Sequence, residues 1–316
     1  MRLVFLGTGE FACPALRALV AAGHEVACAI SQPDRPAGRG RTVRPSFVHA
    51  AADALGIRHV QTEDVNTLGL AELAGGAEIG VVAAFGQKIA QKVLDALPRG
   101  CVNIHGSLLP KYRGAAPYQW AIIRGERTTG VTVFQLDERW DAGPVLGRRA
   151  LTIGETETAA ELHDRLADLG AALIVDTLAD LARGAITPEP QDTTQVTWAP
   201  KLSRRHSRID WMLPAVEVAR WINGLWSWPV ATCWFEGAGG KRERLQLARA
   251  RALPDAPAEP AIEPGAFLDD GTVQAGRGRV RLLEVRPAGG KLMRFEAFAR
   301  GRPARPPARL LPLEDA

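Results

Sequence analysis

At 316 residues and 34.0 kDa the chain exceeds what one hydrophobic core usually organises, so its length favours two domains. A composition of 46% hydrophobic and 23% charged residues excludes disorder, collagen and coiled coil as whole-chain readings, and charges cut every apolar run well short of a membrane span. The net charge of +4 is local: after Ser207 there are 17 basic against 13 acidic residues, and the rest of the chain is balanced.

The chain starts directly on the apolar run of residues 2–6, with no basic segment ahead of a cleavable apolar one, so a cytoplasmic protein is expected. From there to about residue 185, short apolar runs alternate with amphipathic stretches. Residues 2–6, 25–31, 79–84, 101–104 and 131–136 are predicted strands, bounded by Gly, Pro or Asp. Residues 11–22, 45–55, 115–124 and 159–183 carry helical spacing. The alternation predicts an α/β fold with a doubly wound, mostly parallel sheet, whose ligands sit at the carboxyl ends of its strands.

Residues 190–207 hold Pro190 and Pro200 and then a run of cations, and read as a linker between a domain of residues 1–189 and one of residues 208–316. The second domain opens with a helix over 213–225. Short strands follow over 231–236, 245–251, 265–268, 272–275 and 280–285, a pattern that suits a small OB-like β-barrel. The Pro/Ala-rich residues 253–264 read as an excursion inside it. Trp211, Trp221, Trp226, Trp228 and Trp234 are expected mainly in the core that docks the helix on the barrel, with base stacking as the alternative.

Four cysteines, Cys13, Cys28, Cys101 and Cys233, have neither CxxC spacing nor a histidine pair at ligand spacing, and read as small buried hydrophobes. Gly7, Gly9 and Ala12 match G-x-G-x-x-A after the first strand. The next strand ends at Ser31 without the acidic residue a dinucleotide site needs, which favours a plain tight turn. Residues 32–46 read QPDRPAGRGRTVRPS, with Arg35, Arg39, Arg41 and Arg44 against Asp34 alone. Such a segment is either a solvated loop or, being long for a connector, a phosphate-contacting one.

Asn103 and His105 lie two apart at the end of a strand, which places both on one face. An Asn amide donates to a developing oxyanion and a His carries a proton at neutral pH, although either also serves structurally. Asp137 and Asp141 compete as the partner of the imidazole. Residues 113–117, RGAAP, form either an anion-binding helix entrance or an ordinary turn.

With these residues the sequence becomes familiar. The string VNIHGSLLPKYRGAAPYQWAI, residues 102–122, closely resembles the signature of the methionyl-tRNA formyltransferase family, and QPDRPAGRGR, residues 32–41, resembles its tRNA-contacting loop. RIDW at 208–211 and RPAGGKLM at 286–293 extend the similarity over nearly the whole chain. The resemblance implies a Rossmann-like catalytic domain followed by a β-barrel, a catalytic trio of Asn103, His105 and Asp141, and a folate-binding stretch of Ser107, Leu108, Leu109 and Pro110. It implies transfer of formyl from 10-formyltetrahydrofolate to initiator methionyl-tRNA without a metal, and contacts to tRNA from Arg35, Arg39, Arg41 and Arg44. A monomer is expected.

One departure stands out. Such families usually read Asp-Thr-Gly-Asp where this chain has Asp141, Ala142, Gly143 and Pro144, so the second acid is absent. The alternative within the enzyme class is a folate-dependent formyltransferase acting on a sugar amine or nucleotide precursor. The arginine loop and basic barrel argue against it, since a small acceptor needs neither. A nucleic-acid-binding protein with a decayed site and a dinucleotide-dependent oxidoreductase are the remaining readings.

Overall fold

The computed structural model describes residues 1–37, 42–253 and 262–313. Arg39, Arg41 and most of the 253–264 excursion therefore lie outside the described residues. The chain forms two compact units: Met1–Pro117, Thr129–Leu151 and His163–Ala199 make the first, and Tyr118–Thr128, Thr152–Leu162 and Pro200–Ala316 the second.

In the first unit, β1 (Arg2–Gly7), α1 (Cys13–Ala21) and β2 (Glu25–Ser31) open the chain. A hairpin of β3 (Arg35–Ala37) and β4 (Thr42–Arg44) follows, then α2 (Phe47–Ala54), β5 (His59–Gln61) and α3 (Leu70–Ala74). Next come β6 (Ile79–Ala83), α4 (Gln91–Leu94), β7 (Cys101–His105) and β8 (Arg113–Gly114). α5 (Pro117–Arg124) falls almost wholly in the second unit, and the first continues with β9 (Thr128–Gln135), β10 (Val145–Thr152), most of α6 (Ala159–Ala182) and β11 (Trp198–Ala199).

The sheet order is β10-β9-β7-β6-β1-β2-β5. The five strands from β7 to β5 run parallel and β9 is antiparallel to β7, as a mostly parallel sheet requires. β1 and β6 are almost wholly buried, which explains their unbroken apolar sequences. The chain order reverses between β1 and β6, a switch point of the kind that opens a crevice above the strand ends. β5 and β10 escaped sequence reading, the first for its shortness and the second for its half-exposed pattern.

The second unit holds α7 (Ala215–Leu225), β12 (Ala231–Glu236), β13 (Arg242–Leu253), β14 (Val273–Gln274), β15 (Arg279–Pro287), β16 (Met293–Arg294), α8 (Phe295–Gly301) and β17 (Arg309–Pro312). The antiparallel order β14-β15-β13-β12-β17 is nearly closed by Ala266, which bridges Arg309, and Phe267, which bridges Val273. The strand expected over 265–268 is thus two isolated bridges. Phe235, Phe267, Phe295 and Phe298 stack or meet edge-on at centroid distances of 5.2 to 6.1 Å inside the barrel.

A register shift in β13 between Arg249 and Ala250 frees a backbone pair, and the buried Asn223 of α7 takes both groups, at 3.0 and 2.8 Å. The tryptophan expectation needs correction. Trp211 is buried, but Trp221, Trp226 and Trp234 are half-buried and Trp228 is exposed. Arg286 stacks over the face of Trp226 and Trp221 donates to the His206 carbonyl, polar contacts that hold these two rings at the surface. All four cysteines are buried and free, and burial pushes the Cys101 thiol up to about 12. Among the described residues, no helix is long and apolar enough to cross a membrane.

Candidate active site

The alternation of β7 does what its sequence predicts. Ile104 points toward α6, where a Cβ on Gly170 would come within 2.8 Å of its methyl, so the helix approaches closely only because residue 170 has no side chain. Asn103 and His105 project from the opposite face. His105 is 6% exposed, and its ring meets Phe134 of β9 edge-on. The Asn103 side chain is half-buried and makes no hydrogen bond to another described residue, which leaves its amide for a ligand.

The chain after His105 folds back on itself. The Ser107 hydroxyl donates to the Lys111 carbonyl at 2.6 Å, and Thr132 of β9 both donates to the Ser107 carbonyl and accepts from Leu109 N–H. Arg148 donates to the Leu109 carbonyl at 3.1 Å. Ser107 and Leu109 are therefore buried in holding the loop, while Leu108 and Pro110 remain half-exposed. The loop returns Tyr112 so that its carbonyl accepts from His105 Nε2 at 2.9 Å.

On its other side the imidazole faces Asp141, with Nδ1 3.8 Å from Oδ2. The same oxygen accepts from Gly114 N–H at 2.8 Å, so the anion at the RGAAP turn is the protein's own carboxylate. Ala115 and Ala116 donate instead to the Ala199 carbonyl. Asp137, the competing acid, instead pairs with Arg139 and caps the 139 turn.

Asp141 has φ of 48°, a left-handed backbone that Asp tolerates better than most residues but that still needs support. Gln191 supplies it: its Nε2 donates to the carbonyls of Asp141 and Gly143 at 2.9 and 2.8 Å. Its Oε1 accepts twice from the buried Arg113, at 3.2 and 2.7 Å. Burial, aided by Arg139, draws the Arg113 guanidinium below its ordinary value, while Asp141 and Asp137 oppose that shift. Gly143 is obligatory, because a Cβ there would lie 1.8 Å from the Gln135 carbonyl. Where the second acid is usual, only the Pro144 carbonyl acts, accepting from Gln135 N–H. Sequence reading missed Gln191, which lies in the proline-marked segment and carries no motif.

At the glycine turn the Thr8 and Gly9 N–H groups are both engaged, donating to the Ala84 carbonyl at 3.2 Å. Arg35 and Arg44 sit exposed and directly opposite each other on β3 and β4, and Arg35 donates to Gln32 at 3.0 Å. In the second unit Arg242 pairs with Glu236 and Arg279 lies 4.0 Å from Asp270. Arg244, Arg277, Arg281 and Lys291 are exposed. No cluster of His, Cys, Asp or Glu among the described residues could hold a metal ion.

A family profile described as formyl transferase matches residues 1–178, and one described as formyl transferase, C-terminal domain, matches residues 201–303. The chain is 44% identical over 313 residues to a protein named methionyl-tRNA formyltransferase from Heliobacterium modesticaldum, covering 96% of this chain and 97% of that one. It is 46% identical to one of the same name from Roseobacter denitrificans, over 95% of this chain and 96% of the other. Among solved structures, an N-formyltransferase from Helicobacter canadensis in complex with folinic acid and dTDP-3-aminofucose shares the fold at TM-score 0.64 and 16% identity, over 89% of this chain and 98% of that one. HypX from Aquifex aeolicus in complex with tetrahydrofolic acid does so at TM-score 0.61 and 22% identity, over 95% of this chain, which spans 47% of that longer one.

Proposed function

The chain belongs to the formyl transferase family, and on that premise we propose that it moves the formyl group of 10-formyltetrahydrofolate to the α-amine of methionine esterified to initiator tRNA. Relatives that match it almost end to end are named for that acceptor. The observation that carries the chemistry is the buried His105 ring, held between the Tyr112 carbonyl and Asp141, with Asn103 on the same face of β7.

The amine attacks the formyl carbon, a C–N bond forms, and the carbonyl oxygen becomes an oxyanion. Asn103, whose amide is otherwise unengaged, donates to it. The attacking nitrogen then sheds a proton, and N10 of the folate gains one as its bond to the formyl carbon breaks. His105 carries that proton, while Asp141, fixed by Gly114 N–H, orients the ring and balances the charge it acquires. Leu108 and Pro110, in a loop braced by Ser107 and Leu109, border the folate.

Arg35, Arg39, Arg41 and Arg44 contact the tRNA phosphates, joined by Arg244, Arg277 and Arg281 of the second unit. Phosphate contacts position the nucleic acid without reading its sequence. As proposed, the enzyme works in the cytoplasm as a monomer, with residues 1–189 catalytic and 208–316 binding tRNA. Incubation of the protein with labelled 10-formyltetrahydrofolate and methionyl-tRNA is expected to place the label on the aminoacyl end. Label appearing only on a nucleotide-linked amino sugar offered in competition would overturn the assignment.

A further inference from the structure

We propose that Asp34 is a positioning residue for tRNA capture: one carboxylate fixes both feet of the β3–β4 hairpin and so sets the direction of Arg35 and Arg44. The proposal rests on the tRNA reading above and deepens it. The hairpin has little of its own to hold it. Its strands are three residues each, they form a sheet separate from the main one, and Val43 is 62% exposed. Two-stranded hairpins of this size are marginal in water. Arg35 and Arg44 stand directly opposite, a pairing of like charges that opposes the hairpin further until an anion lies between them.

The order comes from below. Asp34, the residue before β3, accepts from Ser46 N–H, two residues past β4, at 2.8 Å. It also accepts from His49 on α2 at 2.9 Å and from Gln61 on β5 at 2.9 Å, while its own N–H donates to Gln61 at 3.1 Å. Entry, exit, helix and edge strand thus meet at one carboxylate. The Ser46 hydroxyl, which caps α2 by accepting from His49 N–H, donates in turn to Ser31 at the end of β2. Gln32 completes the arrangement, donating to the Phe85 carbonyl while accepting from Arg35.

Charge alone makes the opposite prediction, which gives the test its force. Removing an anion beside the arginines would, by Coulomb's law, tighten the grip on a polyanion. The clamp predicts the reverse. In steady-state formylation assays, Asp34→Asn is expected to raise the KM for methionyl-tRNA about tenfold, the scale of one lost charge-assisted hydrogen bond, while kcat at saturating tRNA and the KM for 10-formyltetrahydrofolate hold. Gln61→Leu, which removes one arm at an exposed position and keeps Asp34, is expected to move the same KM in the same direction. It serves where Asp34→Asn does not fold. An unchanged or lowered KM for tRNA in a folded variant overturns the clamp. Wild-type turnover separates this from failure of the assigned reaction: absence of formyl transfer to methionyl-tRNA in the unmodified protein defeats that assignment and the clamp together.

Discussion

The Asp141 loop and the β3–β4 hairpin are both irregular excursions of the same unit, both carry charge, and they are held in opposite ways. Asp141 is 8% exposed and its loop is tied along its length, by Gly114, by Gln191 behind it and by the glycine at 143. The described residues of the hairpin are largely exposed and are held mainly at its feet, where Asp34 gathers Ser46, His49 and Gln61. The difference follows from what each must do. A proton carrier works only if its partner stays within a fraction of an ångström, and water exclusion strengthens the pairing. A phosphate-binding element works at long range through charge and gains by standing in solvent.

The largest effect therefore belongs to the buried loop. His105→Ala is expected to lower kcat by about 10²- to 10⁴-fold at saturating tRNA and folate, the range of a lost general acid–base, with small changes in either KM. Asp141→Asn, which keeps the shape and the acceptance from Gly114, is expected to lie within the same range. Near wild-type turnover in either variant would place the proton transfer elsewhere and dissolve the contrast.

Gln191 sharpens the contrast because it touches no substrate in the proposed reaction. Gln191→Ala frees the Asp141 and Gly143 carbonyls and leaves the buried Arg113 without its acceptor, so the carboxylate shifts relative to His105. The expected loss in kcat is about 100-fold, with the KM for tRNA unmoved. A variant that instead raised the KM for tRNA would show that this loop, like the hairpin, acts in capture.

Which of these features the sequence disclosed depends on whether their cause is local. The burial of β1 and β6, the strand alternation that sends Asn103 and His105 one way and Ile104 the other, and the tight turn at Gly7 and Gly9 are all local and were readable. So was the arginine content of residues 32–46, because composition needs no partner. Spacing alone left Asp137 and Asp141 competing for His105, since both acids sit in one turn; the resemblance named Asp141, and the fold turns that one inward. Gln191 was invisible because it reaches back 50 residues to Asp141 from a segment whose prolines signal only a break. The tryptophans misled for a related reason: clustering in sequence implied a core, whereas an indole N–H that finds a carbonyl and a ring face covered by a guanidinium stay at the surface.

On the hairpin the effects are smaller and appear in binding. Arg35→Ala combined with Arg44→Ala is expected to raise the KM for tRNA several-fold and to flatten its dependence on salt by about two phosphate contacts, with kcat preserved. An unchanged salt slope would remove these arginines from the tRNA interface and leave the hairpin without its proposed task.

The smallest effect is acid sensitivity at the hairpin root. Burial would raise the Asp34 carboxyl, but the hydrogen bonds from Ser46, His49 and Gln61, with the charge of His49, outweigh it and hold it below the ordinary 3.8. Its stabilisation is present above that value and is lost as pH falls through the depressed one, too acidic for an assay of aminoacyl-tRNA. His59 is the other shifted group of the root. It stacks on His49 at 4.2 Å and bonds Ser31, and burial together with the His49 charge draws it below 6.5, against the pull of Asp53 and Asp34. Its neutral form belongs to the folded root, so stability there is full above 6.5 and declines as pH drops below it. The KM for tRNA is accordingly expected to rise modestly between pH 7.5 and pH 5.5, less than in Asp34→Asn, and His59→Gln is expected to flatten that rise. If the rise persists unchanged in His59→Gln, the acid sensitivity lies outside the stacked pair, and the Asp34 anchor remains the one element of the root that tRNA capture reads.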